Sequence, residues 1–302
     1  MLLITQTALE LGFQYALVAM ALFLSYRILD VADLTTDGCF VLGAAVSVTL
    51  TAAGHPILAI PAAMLAGACA GFVTAFLQTR MGVPSILAGI VTNTGLYTVN
   101  LMVMGWKSNA SLLRAETVFT LLRGTGLGGS WYELLLSAAL TLLAGGLLYL
   151  FLGTRLGLSI RATGDNRDMV RSSSVNPAFT VTVGLCAANA LTGLSGAVVG
   201  QAQKSADINM GTGIVVIGLA CLVMGETVLG RGGMGRGILS VAAGSVIYRF
   251  IYAIVLYTKI VPIDCLKLFV AAIVALAIAA PTLKSGAALQ RRRLAARRKE
   301  AR

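Results

Sequence analysis

Charge is scarce in this 302-residue chain: Asp, Glu, Lys and Arg together make up 12% of it, with 12 acidic residues against 23 basic ones. A water-soluble domain of this length carries about twice that share of charge, so a soluble globular fold is excluded. There is one histidine, His55, set before Pro56 with no partner pattern for metal binding or nucleophilic catalysis. The five cysteines, Cys39, Cys69, Cys186, Cys221 and Cys265, are isolated within apolar runs. None has metal-ligand spacing, and they read as small packing residues. No phosphate-loop pattern ending in Gly-Lys-Ser/Thr occurs, so the chain does not bind ATP in that way. GTGLGG, from Gly124 to Gly129, matches the glycine spacing of dinucleotide sites, but no strand precedes it and it reads as a flexible turn. Nothing here indicates an enzyme acting alone, and no metal or cofactor is expected in this chain.

What the chain has in abundance is apolar length. Hydrophobic residues make up 57% of it, and the mean hydropathy is +0.87. Runs of about 18 to 22 apolar residues, enough to cross roughly 30 Å of hydrocarbon as helices, recur throughout. Nine are expected, within a range of eight to ten, at about 11–29, 36–53, 57–78, 84–104, 132–152, 177–201, 213–229, 237–257 and 264–283. The fold class is therefore an all-α polytopic membrane protein. Many of the 34 glycines lie inside these runs, as Gly67 and Gly71 or Gly193, Gly196 and Gly200 do. Small residues so spaced let helix backbones approach closely in lipid. Asp37 and Gly38 weaken the second run and GTG opens the seventh, so broken helices are expected at both places.

The basic residues orient the chain, because short cytoplasmic loops retain positive charge. With nine crossings, sixteen of the 23 lysines and arginines fall on one side and five on the other, with Arg249 and Lys267 inside helices. The N-terminus is expected outside and the C-terminus in the cytoplasm. No cleavable signal peptide is expected, since the first apolar run lacks a basic leader. The basic tail 284–302 reads as a solvated segment along anionic headgroups and accounts for much of the net charge of +11, so no nucleic acid is implied.

An internal echo pairs ADLTTDGCFVLGAAV, from Ala32 to Val46, with ADINMGTGIVVIGLACLV, from Ala206 to Val223. It relates the second run to the seventh, five crossings apart, which is the arrangement of an inverted-topology repeat. The expected organisation is a transmembrane domain over 1–283, comprising repeat one at about 8–104, an extra helix at 132–152, a joining loop at 153–176 and repeat two at 177–283. The joining loop holds the densest internal charge, in GLSIRATGDNRDMVRSSSVNPAF from Gly157 to Phe179. There Asp165 is expected to cap a short helix over Asn166 to Ser173, with Asp168 in its favourable first turn. Asn176 and Pro177 are expected to start the next membrane helix.

RATGDNRDMVRSSSVNPAF resembles the cytoplasmic loop of permease subunits of branched-chain amino-acid and ribose-type ABC importers. VVIGLACLVMGETVLGRGGMGRGILSVAAG, from Val215 to Gly244, resembles the same family's aliphatic segment and glycine-rich loop. LTGLSGAVVGQ and, more loosely, PSILAGIVTNTGL resemble two of its helices. Gly225-Glu226 stands where the family usually has a glycine pair, and Ser172 to Ser174 replace a more apolar end to the short helix. The chain is similar above all to single-permease amino-acid systems of the tryptophan and tyrosine type. The resemblance implies a homodimer in the bacterial cytoplasmic membrane, cytoplasmic ATPase subunits that hold ATP and Mg, and an extracytoplasmic binding protein. It also implies that Arg161, Gly164, Asp165, Asn166, Arg167, Asp168 and Arg171 couple the permease to the ATPase.

Intramembrane polar residues face cavities or bond between helices. Asn93, Tyr97, Asn189, Thr192 and Arg249 are the candidates for the substrate path, with interhelical bonding the alternative for each. Arg114, Glu116 and Arg123, in the outer loop from Gly105 to Tyr132, are the candidates for docking the binding protein. Two other functions stay open: an ion-coupled secondary transporter, which would show mid-membrane acidic residues, and a sugar or nucleoside ABC permease.

Overall fold

The structure, a computed structural model, describes residues 2–112, 115–124, 131–230 and 232–258. Its long helices follow the apolar runs. They are α1 (Leu2–Leu22), α2 (Thr36–Ala52), α3 (Pro56–Thr79) and α4 (Ser85–Val103). After a short α5 (Val118–Gly124) come α6 (Tyr132–Gly153), the paired helices α7 (Arg155–Asp165) and α8 (Arg167–Ser172), then α9 (Pro177–Gln203), α10 (Ile214–Leu229) and α11 (Met234–Thr258). Six of these, with α1 counted through its π-helical extension Phe23–Ile28, are long and apolar enough to cross a membrane. The chain is thus an all-α multi-pass membrane protein. The expected ninth run, 264–283, and the basic tail lie outside the described residues.

α2 and α10, at 17 and 16 residues, are shorter than a full crossing. Each begins within the protein, at the two places where the sequence predicts broken helices. The chain reaches α2 through a non-helical stretch, Leu29 to Thr35, in which Leu29, Val31 and Asp33 are buried. Unpaired backbone is tolerated at membrane depth only where protein surrounds it. Here Asp33 organises the turn, its Oδ1 accepting from the Thr35 amide at 2.9 Å and its carbonyl from the Thr36 hydroxyl at 3.2 Å.

α9 forms the centre of the bundle, and every residue from Leu191 to Gln201 is buried. It lies between α2 and α3, and the glycines named above make the contacts. A Cβ on Gly43 or Gly193 would strike the backbone of the facing helix, and one on Gly196 would strike the Phe40 carbonyl. Apolar burial gives little drive between helices in lipid, so this close backbone contact is the source of cohesion. α3, α4 and α6 present exposed apolar side chains outward, among them Phe72, Ile90 and Leu142, as a surface facing acyl chains or another subunit does.

At one end of the bundle a two-stranded antiparallel ribbon, β1 (Asn109–Ser111) with β2 (Ser205–Asp207), ties the α4–α6 connection to the α9–α10 connection. Three-residue strands carry no readable alternation, and the sequence shows these segments only as loops. α7 and α8 lie elsewhere, in the connection between α6 and α9.

Candidate substrate cavity and coupling surface

The loop expected to hold one short helix holds two. Thr154 caps α7, its Oγ1 accepting from the Gly157 amide at 3.2 Å. Gly157, Ile160 and Thr163 form the inward face of α7. Thr163 meets Thr180 of α9 hydroxyl to hydroxyl at 2.8 Å. Gly164 lies so near the Ile28 carbonyl that a Cβ there would overlap it, which seats α7 directly on the end of the α1 extension. The expectation that Asp165 caps the second helix is corrected. Asp165 is the last residue of α7, and Asn166, with extended backbone, is the cap. The Asn166 Oδ1 accepts from the amides of Asp168 and Met169, both at 3.0 Å. An Asn beside an Asp competes for the cap position on equal terms; the outcome follows from α7 running through Asp165, which leaves Asn166 as the residue between the two helices.

Buried Val170 pins α8 against the bundle, while Arg167, Asp168, Met169 and Arg171 stand exposed, as do Arg161, Asp165 and Asn166. The hydroxyls of Ser172 and Ser173 both donate to the Met169 carbonyl and close the helix, so the serine run replaces an apolar ending with side-chain capping. Asn176 caps α9 through the Ala178 amide at 3.0 Å, with Pro177 at the first helical position, as the sequence predicts.

Beside α7 lies a cavity of about 340 Å³ lined by Arg27, Arg161, Asp165, Glu226 and glycines of the α10–α11 turn. Across it Arg27 and Glu226 form an ion pair with a Nε–Oε1 distance of 2.9 Å, joining the end of the α1 extension to the end of α10. Gly225 is held by packing, since a Cβ there would strike the Ser240 carbonyl of α11. The Gly225-Glu226 pair therefore combines a close helix contact with a charge clasp.

The five substrate-path candidates do not converge. Asn189 is 1% exposed, and its Nδ2 donates to Asp33 Oδ2 at 2.7 Å and to the Leu185 carbonyl at 3.1 Å. The Thr192 hydroxyl donates to the Ala188 carbonyl within its own helix. Arg249 lies over the ring of Tyr15, 3.7 Å from its centroid, in a cation–π contact that lessens the cost of a guanidinium at this depth. Asn93 and Tyr97, in contrast, line one cavity of about 370 Å³ together with Asp37, Thr94, Asn100, Asn209 and Thr212. The spacing of Asn93, Tyr97 and Asn100 is i, i+4, i+7, one stripe of α4, and that signal was available in the sequence. Asp37 was not: its oxygens accept from the Gly213 and Val215 amides at 3.1 and 2.9 Å, capping α10 from across the fold.

At the ribbon end a larger cavity, about 660 Å³, is lined by His55, Ile57, Leu58, Ser111 and Glu116. Glu116 and Arg123 are exposed there or nearby, and Arg114 lies outside the described residues.

Residues 4–279 match the protein family described as the branched-chain amino acid transport system, permease component. A tyrosine transport system permease protein of Clostridioides difficile (strain R20291) is 33% identical over 236 residues, which cover 78% of this chain and 77% of that protein. An uncharacterized protein of Rickettsia prowazekii (strain Madrid E) is 32% identical over 224 residues, 74% of this chain and 76% of that one. No solved structure matches the chain significantly. The chain belongs to the branched-chain amino acid transport system permease family, and it is the membrane-spanning permease component of an amino-acid importer of the ABC class.

Proposed function

We propose that this permease works as a homodimer in the bacterial cytoplasmic membrane, N-terminus outside and C-terminus inside, and that it imports an aromatic amino acid. The tyrosine system to which it is similar supports the substrate class. A cytoplasmic ATPase seats α8 and the exposed charges Arg161, Asp165, Arg167, Asp168 and Arg171, and an extracytoplasmic binding protein docks near Arg114, Glu116 and Arg123. ATP and its Mg belong to the ATPase partner. The two halves, about 8–104 and 177–283, are inverted repeats, a reading supported by the echoed segments forming helices of similar, short length, α2 with 17 residues and α10 with 16.

One observation carries the coupling reading: α8 is exposed, capped at both ends, and linked through α7 to the end of the α1 extension at Gly164. An ATPase that moves α8 therefore moves packed helices, as a rigid-body transition requires. ATP binding acts only to the extent that the partner prefers one arrangement over the other.

The test is uptake into proteoliposomes holding the permease with a candidate ATPase and binding protein. L-tyrosine accumulation that needs ATP and both partners is the expected result. Uptake driven by a sodium or proton gradient without the ATPase would establish the secondary-transporter reading, and ATP-driven uptake of ribose in place of amino acids would establish the sugar reading.

A further inference from the structure

The cavity lined by Asp37 lies where α2 and α10 both begin. From Asp37 to Thr51, at the ribbon end, α2 rises roughly 21 Å, and from Val215 to Glu226, beside α7, α10 rises roughly 17 Å at 1.5 Å per residue. The cavity is therefore close to the middle of the bundle, between two helix ends that start inside the protein. Its volume, about 370 Å³, is that of a small-molecule site.

Acceptors gather on the side of the cavity where α2 begins. Asp37 spends one lone pair of each carboxylate oxygen on the Gly213 and Val215 amides, which leaves acceptor capacity on both. Asn100 is 1% exposed; its Nδ2 donates to the Gly38 carbonyl at 3.1 Å, and its Oδ1 has no partner among the described residues. A buried acceptor left without a donor is costly and calls for a ligand or water that supplies one. Asn93 adds a third acceptor: its Oδ1 lies over Gly38, where any Cβ would overlap it, so the glycine makes room for that oxygen one residue from Asp37. Tyr97, half exposed on the same stripe of α4, gives the cavity an aromatic wall. A carboxylate flanked by two amide oxygens matches a group with three donors and a positive charge.

We propose that this cavity binds the transported amino acid by its α-ammonium group, held by Asp37, Asn93 Oδ1 and Asn100 Oδ1 where α2 and α10 begin. The inference rests on the reading of the chain as an amino-acid permease. It makes the permease itself selective for the amino group, independently of the binding protein.

The test uses Thr94→Cys, at an exposed cavity-lining position, in the detergent-solubilised permease–ATPase complex with the native cysteines replaced by alanine. The readout is protection of that thiol from a maleimide. L-tyrosine protects it, whereas 3-(4-hydroxyphenyl)propionate, which has the same ring and carboxylate but no ammonium, needs at least about tenfold more, the loss expected for charge-assisted hydrogen bonds. Asp37→Asn raises the L-tyrosine concentration for half-protection about tenfold or more. So does Asn93→Ala, which leaves the α10 cap intact and separates binding from folding. Equal protection by the two compounds overturns the proposal, as does absence of protection by L-tyrosine in a complex that takes it up with ATP. If the complex takes up a different amino acid, that compound and its des-amino analogue form the probe pair. A complex that takes up no amino acid overturns the amino-acid reading, and this inference with it.

Discussion

Replacing Asn189 by alanine should destabilise the permease without changing what it selects. The Asn189 amide nitrogen donates to Asp33 Oδ2 at 2.7 Å, with both residues almost wholly buried. Both Asp33 oxygens accept hydrogen bonds, the other from the Thr35 amide, which is the pattern of a carboxylate. A hydrogen bond to such a group is worth about 1.5–3 kcal/mol, and truncating the donor leaves the acceptor buried and unmet. Some of that loss is offset, because the Asn189 Oδ1 is itself without a partner and disappears with the side chain. The net cost expected for Asn189→Ala is about 1–3 kcal/mol. The assay is equilibrium unfolding in mixed micelles, run as a double-mutant cycle with Asp33→Ala. Coupling of about 1.5 kcal/mol or more is expected, since partners in direct contact depart from additivity. Additive single-mutant effects within about 0.5 kcal/mol, or a changed substrate preference at unchanged stability, would refute the structural reading and restore Asn189 to the transport path.

Three further outcomes are expected. Asn166→Ala removes the acceptor of two amides at the start of α8, a cap loss of about 1 kcal/mol, and should weaken stimulation of the ATPase by loaded binding protein more than Asp165→Ala does; the opposite order would return the cap to Asp165. Reversing Arg27 or Glu226 alone should reduce coupled uptake, and the double swap Arg27→Glu with Glu226→Arg should recover part of it; a swap as impaired as the worse single variant would mean that the 2.9 Å pair contributes nothing to coupling. In intact cells and a cysteine-free background, Ser111→Cys should react with an impermeant thiol reagent and Ser173→Cys should not, both positions being exposed; reversed labelling would invert the topology.

Much of this protein was determined by its sequence alone, for a reason of scale. A helix rises 1.5 Å per residue and the hydrocarbon is about 30 Å thick, so run length alone marked the six long apolar helices, whereas α2 and α10, also expected as crossings, are shorter than a full crossing. The starts of α2 and α10 were legible for a similar reason, since Asp37 and Gly38 fall in the first turn of one and the GTG at Gly211 to Gly213 stands just before the other. The caps at Asn176 and Pro177 and the stripe of Asn93, Tyr97 and Asn100 were local as well. Where two adjacent residues offered the same capping chemistry, as Asp165 and Asn166 do, local rules did not choose between them; the length of α7 did. Only the tertiary structure decided which polar residues meet. Asp33 pairs with Asn189 across 156 positions and Asp37 caps α10 across 176. The first encounter is set by how closely α9 approaches α3 and the second by how closely the start of α10 approaches Asp37, and both depend on glycines, Gly71 and Gly211, that remove Cβ atoms from the contact. A single helix carries polar residues at readable spacing, but whether they face a cavity or a neighbouring carboxylate is a property of the packed bundle.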